Sequence, residues 1–272
     1  MLNDFSKESI EKKLNNSSVR VNFFENIDST MLEAKRIIKE NDCSDLHKTV
    51  IVATEQAAGK GRLGRSFYSP KQGGLYFSLI LANDIIENPA IITASVATAV
   101  CRGIKSVYNK DCKIKWVNDL LLNNKKVCGI LTEGIINPEI NKIDTVIIGI
   151  GINIFVDKDE VPCELKNIIG GIVDSESDIK KTELICSVLE NIFYIFKNQE
   201  NKKDALLEYK NNSVLIGKKI KVYPVIDQID NYYFCTVEDI SDDAKLVVRT
   251  EDNVMKYLDS GEISILSKNI IQ

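Results

Sequence analysis

The 272-residue chain carries 35 Lys and Arg against 39 Asp and Glu, a net charge of −4, with 44% hydrophobic and 27% charged residues. This is an ordinary globular composition, long enough for one large domain and a small one. The acidic balance argues against general affinity for nucleic acid or an anionic membrane, and a single histidine with no C-x-x-C pair argues against a zinc cluster or a histidine-based triad.

Residues 1–18 are polar, with a short helical stretch around Ile10–Leu14 and no signal-peptide pattern. Val21-Asn22-Phe23-Phe24 predicts a strand, and Met31–Ile38 a helix. Thr30 and Glu33 have the spacing of a capping box at its start. The plain reading of Ser29 and Thr30 is that they only begin this helix. The functional reading is that the helix start offers hydroxyls and amides to a polar ligand.

A strand over 49–54 leads into Gly59-Lys60-Gly61-Arg62-Leu63-Gly64-Arg65, three glycines and three cations in seven residues. No acidic residue occurs from Gln56 to Ala82. Glycines let backbone amides approach a ligand, and the cations favour an anion, phosphate above all. The loop also spells G-x-G-x-x-G and nearly a Walker A motif. Both need a helix to begin at the loop. Here Pro70, Gly73-Gly74 and the strand-like run 75–81 follow, so both are rejected. A solvated surface turn is the plain alternative.

The Ala-rich segment Pro89–Tyr108 has helical spacing. In Lys113-Ile114-Lys115-Trp116-Val117-Asn118-Asp119, alternation puts Lys113, Lys115 and Val117 on one face of a strand. Asn123-Asn124 is a two-residue hairpin signal, returning through 125–133. Lys115 and Lys126 read either as a solvated strand face or, with Trp116, Asn118-Asp119 and Gly129 nearby, as part of a ligand site. The longest apolar run, 145–156, predicts a buried strand broken by Gly149, Gly151 and Asn153 and is too short to span a bilayer. Helices are expected over 179–198 and 204–209. From Gly217 the pattern changes to short strands at 219–223, 232–237, 245–249 and 262–266, a small barrel. The boundary is set at Asn212/Ser213, giving domains 1–212 and 213–272. Seven cysteines, odd in number, read as reduced and cytoplasmic.

Several blocks occur in one order: Asp28-Ser29-Thr30; Gln56 with 59–65; Ser69-Pro70 and Gly74-Leu75-Tyr76-Phe77-Ser78; Lys115–Asp119; Lys126–Glu133; Gly149–Asn153; and Gly261–Ser264. On these blocks the chain resembles biotin–protein ligases, or biotin–[acetyl-CoA-carboxylase] ligases, from about residue 21 onward. The resemblance implies an α+β fold, a class II synthetase-like mixed sheet with helices followed by a C-terminal SH3-like β-barrel. It implies two reactions: biotin and ATP form biotinyl-5′-AMP, and the biotinyl group passes to a lysine of a biotin carboxyl carrier protein. Mg²⁺ is expected on the phosphates.

Carried over by position, Ser29, Thr30, Met31, Gln56, Lys60, Gly61, Arg62, Lys126 and Gly129 serve biotin. Arg62, Arg65, Phe67, Lys115, Asn118 and Asn153 serve the nucleotide. Lys126, Arg62 and Asp119 carry the chemistry, with Asp119 as proton acceptor or positioner. The sequence departs from the family at Phe67, usually Trp, at Val117, usually Pro, and at Lys60, usually Arg. No metal-ligand set is expected, nor specific DNA or membrane binding, and the chain is expected as a monomer or homodimer. A lipoate–protein ligase, a biotin-responsive repressor and a ligand-binding module without turnover remain as alternatives.

Overall fold

The computed structural model describes residues 5–82, 88–137, 139–223, 232–259 and 270–271. The N-terminal helix α1 (Lys7–Leu14) is closed by a Ser6/Ser9 capping box and buries Ile10 and Leu14. Strand β1 (Arg20–Ile27) then pairs in parallel with β2 (Thr49–Gln56), with helix α2 (Thr30–Glu40) as their crossover. Strand β3 (Gly74–Ala82) runs antiparallel to β2, so the basic loop joins two strands and starts no helix of the P-loop kind.

The next helix, α3 (Pro89–Tyr108), has Asn88 as N-cap and Pro89 at its first turn, the position where a missing N–H costs nothing. It is long and apolar enough to cross a bilayer by length and composition, yet it lies in the core, packed against α4 (Lys181–Ile195), α5 (Gln199–Asn211) and the sheet. Strand β4 (Lys113–Lys115) is shorter than alternation predicts. Residues 116–118 form a turn containing a cis Trp116–Val117 peptide bond, and β5 (Asp119–Leu122) runs back along β4. Alternation continued through 117 only because a turn whose residues are all buried or half-buried carries the same polarity as a strand.

The Asn123-Asn124 hairpin forms as expected. Both residues have positive φ, 50° and 61°, which gives the turn the twist that two paired strands need. It leads into β6 (Lys125–Asn137), which pairs with β7 (Lys142–Asn153). The large sheet runs β1-β2-β3-β7-β6-β5-β4. One face buries Val50, Leu79 and Ile148 in the main core under the α1 and α3–α5 layer. The other buries Ile51, Ile80 and Ile147 under α2, and α2 covers only part of it.

The C-terminal unit is a five-stranded antiparallel sheet, β11-β10-β9-β8-β12: β8 (Lys219–Val222), β9 (Tyr233–Ile240), β10 (Leu246–Thr250), β11 (Met255–Leu258) and β12 (Ile270–Ile271). Strand β11 was not expected; the expected strand 262–266 and the Gly261–Ser264 block lie outside the described residues. The structure ties the units together around the expected boundary. Ser213 bridges Ile114, with the Ile114 amide donating to Asn212 O at 2.8 Å and the Val214 amide to Ile114 O at 2.9 Å. The β9–β10 turn packs on the unit of the large sheet: Trp116 Nε1 donates to Ala244 O at 2.9 Å, and Asn88 Nδ2 to Asp243 O at 2.8 Å.

Candidate active site

Beyond the end of α2, the uncovered sheet face carries a line of small residues. Ile147, Gly149 and Gly151 share one face of β7, since side chains alternate along a strand. Gly129 of β6 pairs with Gly151 in register. Two side chains lie on these glycines. A Cβ at Gly149 would meet Met31 Sδ at 2.7 Å, and a Cβ at Gly151 would meet the Phe67 ring at 2.5 Å. Glycine is therefore required for α2 and the basic loop to come this close to the sheet. Between them lies a cavity of about 600 Å³.

Its walls gather nearly every residue expected there. From α2 come Ser29, Thr30 and Met31, from the end of β2 Gln56, and from the loop Lys60, Gly61, Arg62, Arg65 and Phe67. The opposite wall holds Lys115, Asn118, Asp119, Lys126 and Gly129. Asn153 is not brought to this cavity. It is buried, its amide reaches Lys126 O at 3.5 Å, and it faces a small pocket beside Tyr68. Its place at the last residue of β7 turns it toward residues 72–74 instead.

The start of α2 is not the capping box that the spacing predicts. Ser29 is the N-cap but makes no capping bond. Thr30 lies inside the helix, and both its amide (2.9 Å) and its hydroxyl (3.1 Å) donate to Gln56 Oε1, while Ser78 Oγ donates to Thr30 Oγ1. Glu33 reaches Arg36 instead of the helix start. Gln56 Nε2 in turn donates to Ser69 Oγ at 3.0 Å, so Gln56 is a strut between α2 and the exit of the loop. The Ser29 hydroxyl is buried and has no hydrogen-bond partner, and Ser29 borders the cavity. An orphaned buried hydroxyl beside open space fits a ligand that supplies its partner.

The basic loop is a small hairpin. Lys60 bridges Ser66, the Gly61 amide donates to Arg65 O at 2.7 Å, and the Phe67 amide to Gly59 O at 2.9 Å. This aims Arg62 inward, where Nη1 donates to Asn118 Oδ1 at 3.2 Å. Asn118 is itself held: its Nδ2 donates to Ile130 O, and its own carbonyl accepts the Ile130 amide, both at 3.0 Å. Burial pulls the Arg62 guanidinium below its ordinary range. Lys115, expected either on a solvated face or in a site, is buried at 6% exposure, and burial lowers its pKa too. Lys126 Nζ pairs with Asp119 Oδ1 at 2.7 Å, and its ammonium lies 5.7 Å from the centre of the Phe67 ring.

Cations thus outnumber the one carboxylate on the wall among the described residues, in a partly dry space. Such a cluster binds and stabilises an anion whose charge grows during reaction. It gives a divalent ion no cage of its own: no cluster of three metal-ligating side chains occurs among the described residues, and Asp119 is engaged by Lys126.

Sequence reasoning left out Leu63, Ser66, Ile130, Leu131, Gly149, Ile150, Gly151 and Ile168 from the wall. The strand glycines were a usable signal, since glycines on one strand face imply close backbone approach. Ile168 offered none. It arrives from an irregular segment whose backbone pairs with Lys126: the Lys126 amide donates to Ile168 O at 2.8 Å and the Gly170 amide to Lys126 O at 3.0 Å.

Comparison with known proteins follows the same lines. Residues 23–153 match the Biotin/lipoate A/B protein ligase family, and residues 233–266 match the Biotin protein ligase C terminal domain. The Bifunctional ligase/repressor BirA of Bacillus spizizenii is 38% identical over 152 residues, 56% of this chain and 45% of that protein. The Biotin–[acetyl-CoA-carboxylase] ligase of Paracoccus denitrificans is 32% identical over 110 residues, 38% of this chain and 43% of that protein. The chain spans less than half the length of these curated relatives. In fold it is similar to the biotin protein ligase from Aquifex aeolicus in complex with biotin and ATP, with a TM-score of 0.70, 24% identity, and coverage of 91% of this chain and 98% of that one. The two matched regions occur in sequence order, and the first supplies the cavity's lining apart from Ile168, so residues 23–153 are similar to the biotin/lipoate A/B protein ligase domain and residues 233–266 to the biotin protein ligase C-terminal domain.

Proposed function

We propose that this chain activates biotin with ATP to biotinyl-5′-AMP and then transfers the biotinyl group to a lysine of a biotin carboxyl carrier protein. The observation that carries the proposal is one cavity whose lining brings Ser29, with its partnerless hydroxyl, together with Arg62, Lys115 and Lys126. The C-terminal match to biotin protein ligases favours biotin over lipoate.

In the first step a biotin carboxylate oxygen attacks the α-phosphorus of ATP and pyrophosphate leaves. A carboxylate is already ionised at neutral pH, so no base is needed. The barrier is the repulsion of two anions, which fixed cations in a dry site lower. Lys126 and Arg62 are assigned to the carboxyl and α-phosphate, and Lys115, Arg65 and Asn118 to the rest of the nucleotide. Ser29, Met31 and the glycine-lined floor are assigned to biotin, and Phe67 to the nucleotide. Mg²⁺ fits here as the triphosphate's own counter-ion, since the wall supplies it no carboxylate cluster. In the second step a neutral lysine amine of the carrier attacks the acyl carbon. An amide forms, AMP leaves, and the amine's proton is lost, with Asp119 assigned to receive it. All seven cysteines are unbridged, which supports a reducing, cytoplasmic setting.

Incubation with ATP, biotin and a recombinant biotin carboxyl carrier domain tests the whole sequence. Streptavidin should detect biotin on the carrier, and not on a carrier whose acceptor lysine is changed to arginine. Unlabelled carrier in both cases rejects the transfer.

Lys115 adds a pH dependence. Burial holds its folded-state pKa below the ordinary 10.5. Below that lowered value a buried charge is retained at a cost in stability, which starts to fall as pH rises through it and is gone above the ordinary value. An anionic ligand binds the charged form, so nucleotide affinity should fall as pH rises through the same lowered value, before exposed lysines titrate. Lys115→Arg should move this alkaline limb to higher pH. ATP affinity measured against pH in the two proteins checks it, and coincident limbs would refute the assignment.

A further inference from the structure

Asp28 sits between β1 and α2, one residue before the orphaned hydroxyl. Its carboxylate accepts the Ser29 amide at 2.6 Å and both terminal nitrogens of Arg36, at 2.8 and 2.9 Å. Arg36 lies two turns into α2, and its Nε is fixed by Glu33 at 2.7 Å. The Asp28 carbonyl also accepts the Ala58 amide of the basic loop at 2.8 Å. The carboxylate is held at about 2, chiefly by the Arg36 hydrogen bonds, so it stays ionised at any physiological pH.

These bonds fix the backbone of Ser29 at the start of α2, where its side chain makes no capping bond. An N-cap hydroxyl normally turns back to accept an amide of the first helical turn. Here Asp28 takes the Ser29 amide and Gln56 takes the Thr30 amide. The Ser29 hydroxyl makes no such bond; with the backbone extended at φ −162° it is buried and without a partner, in a residue that borders the cavity. The Asp28–Arg36 pair is about half exposed, and such pairs contribute little to stability. Its bidentate geometry is better suited to fixing direction than to adding energy.

We propose that Asp28 and Arg36 are positioning residues that hold the Ser29 hydroxyl toward the cavity for a hydrogen bond to a polar acceptor atom of bound biotin. This rests on the biotin reading given above. Neither residue touches the ligand; both act through Ser29.

Titration calorimetry with biotin on the full chain tests it, using the parent, Arg36→Met, Ser29→Ala and the double variant. Arg36→Lys, which keeps charge and loses the fork, serves as a second probe. Ser29→Ala and Arg36→Met should each weaken biotin binding by about tenfold, the scale of one hydrogen bond lost or misdirected. The apparent KM for ATP should change by less than about twofold, because the altered contact serves biotin alone. In the Ser29→Ala background, Arg36→Met should have no further effect on biotin affinity, since its action runs through the missing hydroxyl. A merely structural role would leave the two effects additive, and additivity overturns the inference. Parent-like biotin affinity in both Arg36→Met and Arg36→Lys overturns it as well, while the biotin reading stands. No biotin binding by the parent overturns both.

Discussion

Replacing Lys126 by Ala is expected to lower kcat for adenylation by about 10²-fold or more, the scale for one preorganised electrostatic group. Two effects coincide at this position. The variant loses a cation assigned to the transition state, and it uncovers Asp119, whose carboxylate lies 2.7 Å from the Lys126 ammonium. An unpaired carboxylate on that wall repels both the biotin carboxylate and the α-phosphate. Adding Asp119→Asn should therefore recover part of the substrate binding and little of kcat. Arg65→Ala makes the contrast. Arg65 is exposed at the loop's rim, and its loss should act mainly on the KM for ATP, as removal of binding common to ground and transition states does. Single-turnover formation of biotinyl-AMP by these variants separates the roles. A Lys126→Ala protein with near-parental kcat would sink the assignment.

The second large effect is expected from ending the chain at Ile216. The cut spares Asn212–Val214, which pair with β4, and the buried Leu215. It removes the acceptor for the Trp116 indole, Ala244 O, and the partners of Lys210, Asp239 and Asp242. Trp116 begins the turn that ends at Asn118, and Asn118 holds Arg62. From behind, the Tyr209 hydroxyl still donates to Val117 O at 2.9 Å, and Ile130 still holds Asn118, so the turn should persist but lose one of its clamps. A displacement of about 1 Å in such a support can cost about 10²-fold in rate. The shortened chain should therefore keep its large sheet, show adenylation reduced by about tenfold or more, and melt about 2–4 °C lower per kcal/mol of lost docking. Aggregation of the shortened chain, instead of a cooperative melt, would mean that the two units share one indivisible core.

Local chemistry made much of this legible. The acid-free run from Gln56 to Ala82 marked the cavity's basic wall because charge exclusion over such a length has few structural causes. Asn123-Asn124 fixed a hairpin because few residues accept positive φ in succession. What escaped involves bonds that spacing cannot express. Thr30-x-x-Glu33 fits a capping box, but Thr30 is claimed by Gln56, 26 residues away, and Glu33 by Arg36. The turn at 116–118 hid inside an alternating pattern because its residues are buried or half-buried from several sides. Asn153 sits in a block whose first three residues line the cavity, yet it closes β7 from beyond the glycines. Strand β11 is four residues long and largely exposed, which leaves no apolar period to read.

The central claim is that this cavity joins biotin to the α-phosphate of ATP. Exchange of labelled pyrophosphate into ATP reads that step alone, without any carrier protein. The account predicts exchange that requires biotin, is not supported by lipoate, and is lost in Lys126→Ala. Exchange that proceeds with lipoate but not biotin, or no exchange with biotin in the parent, would contradict it.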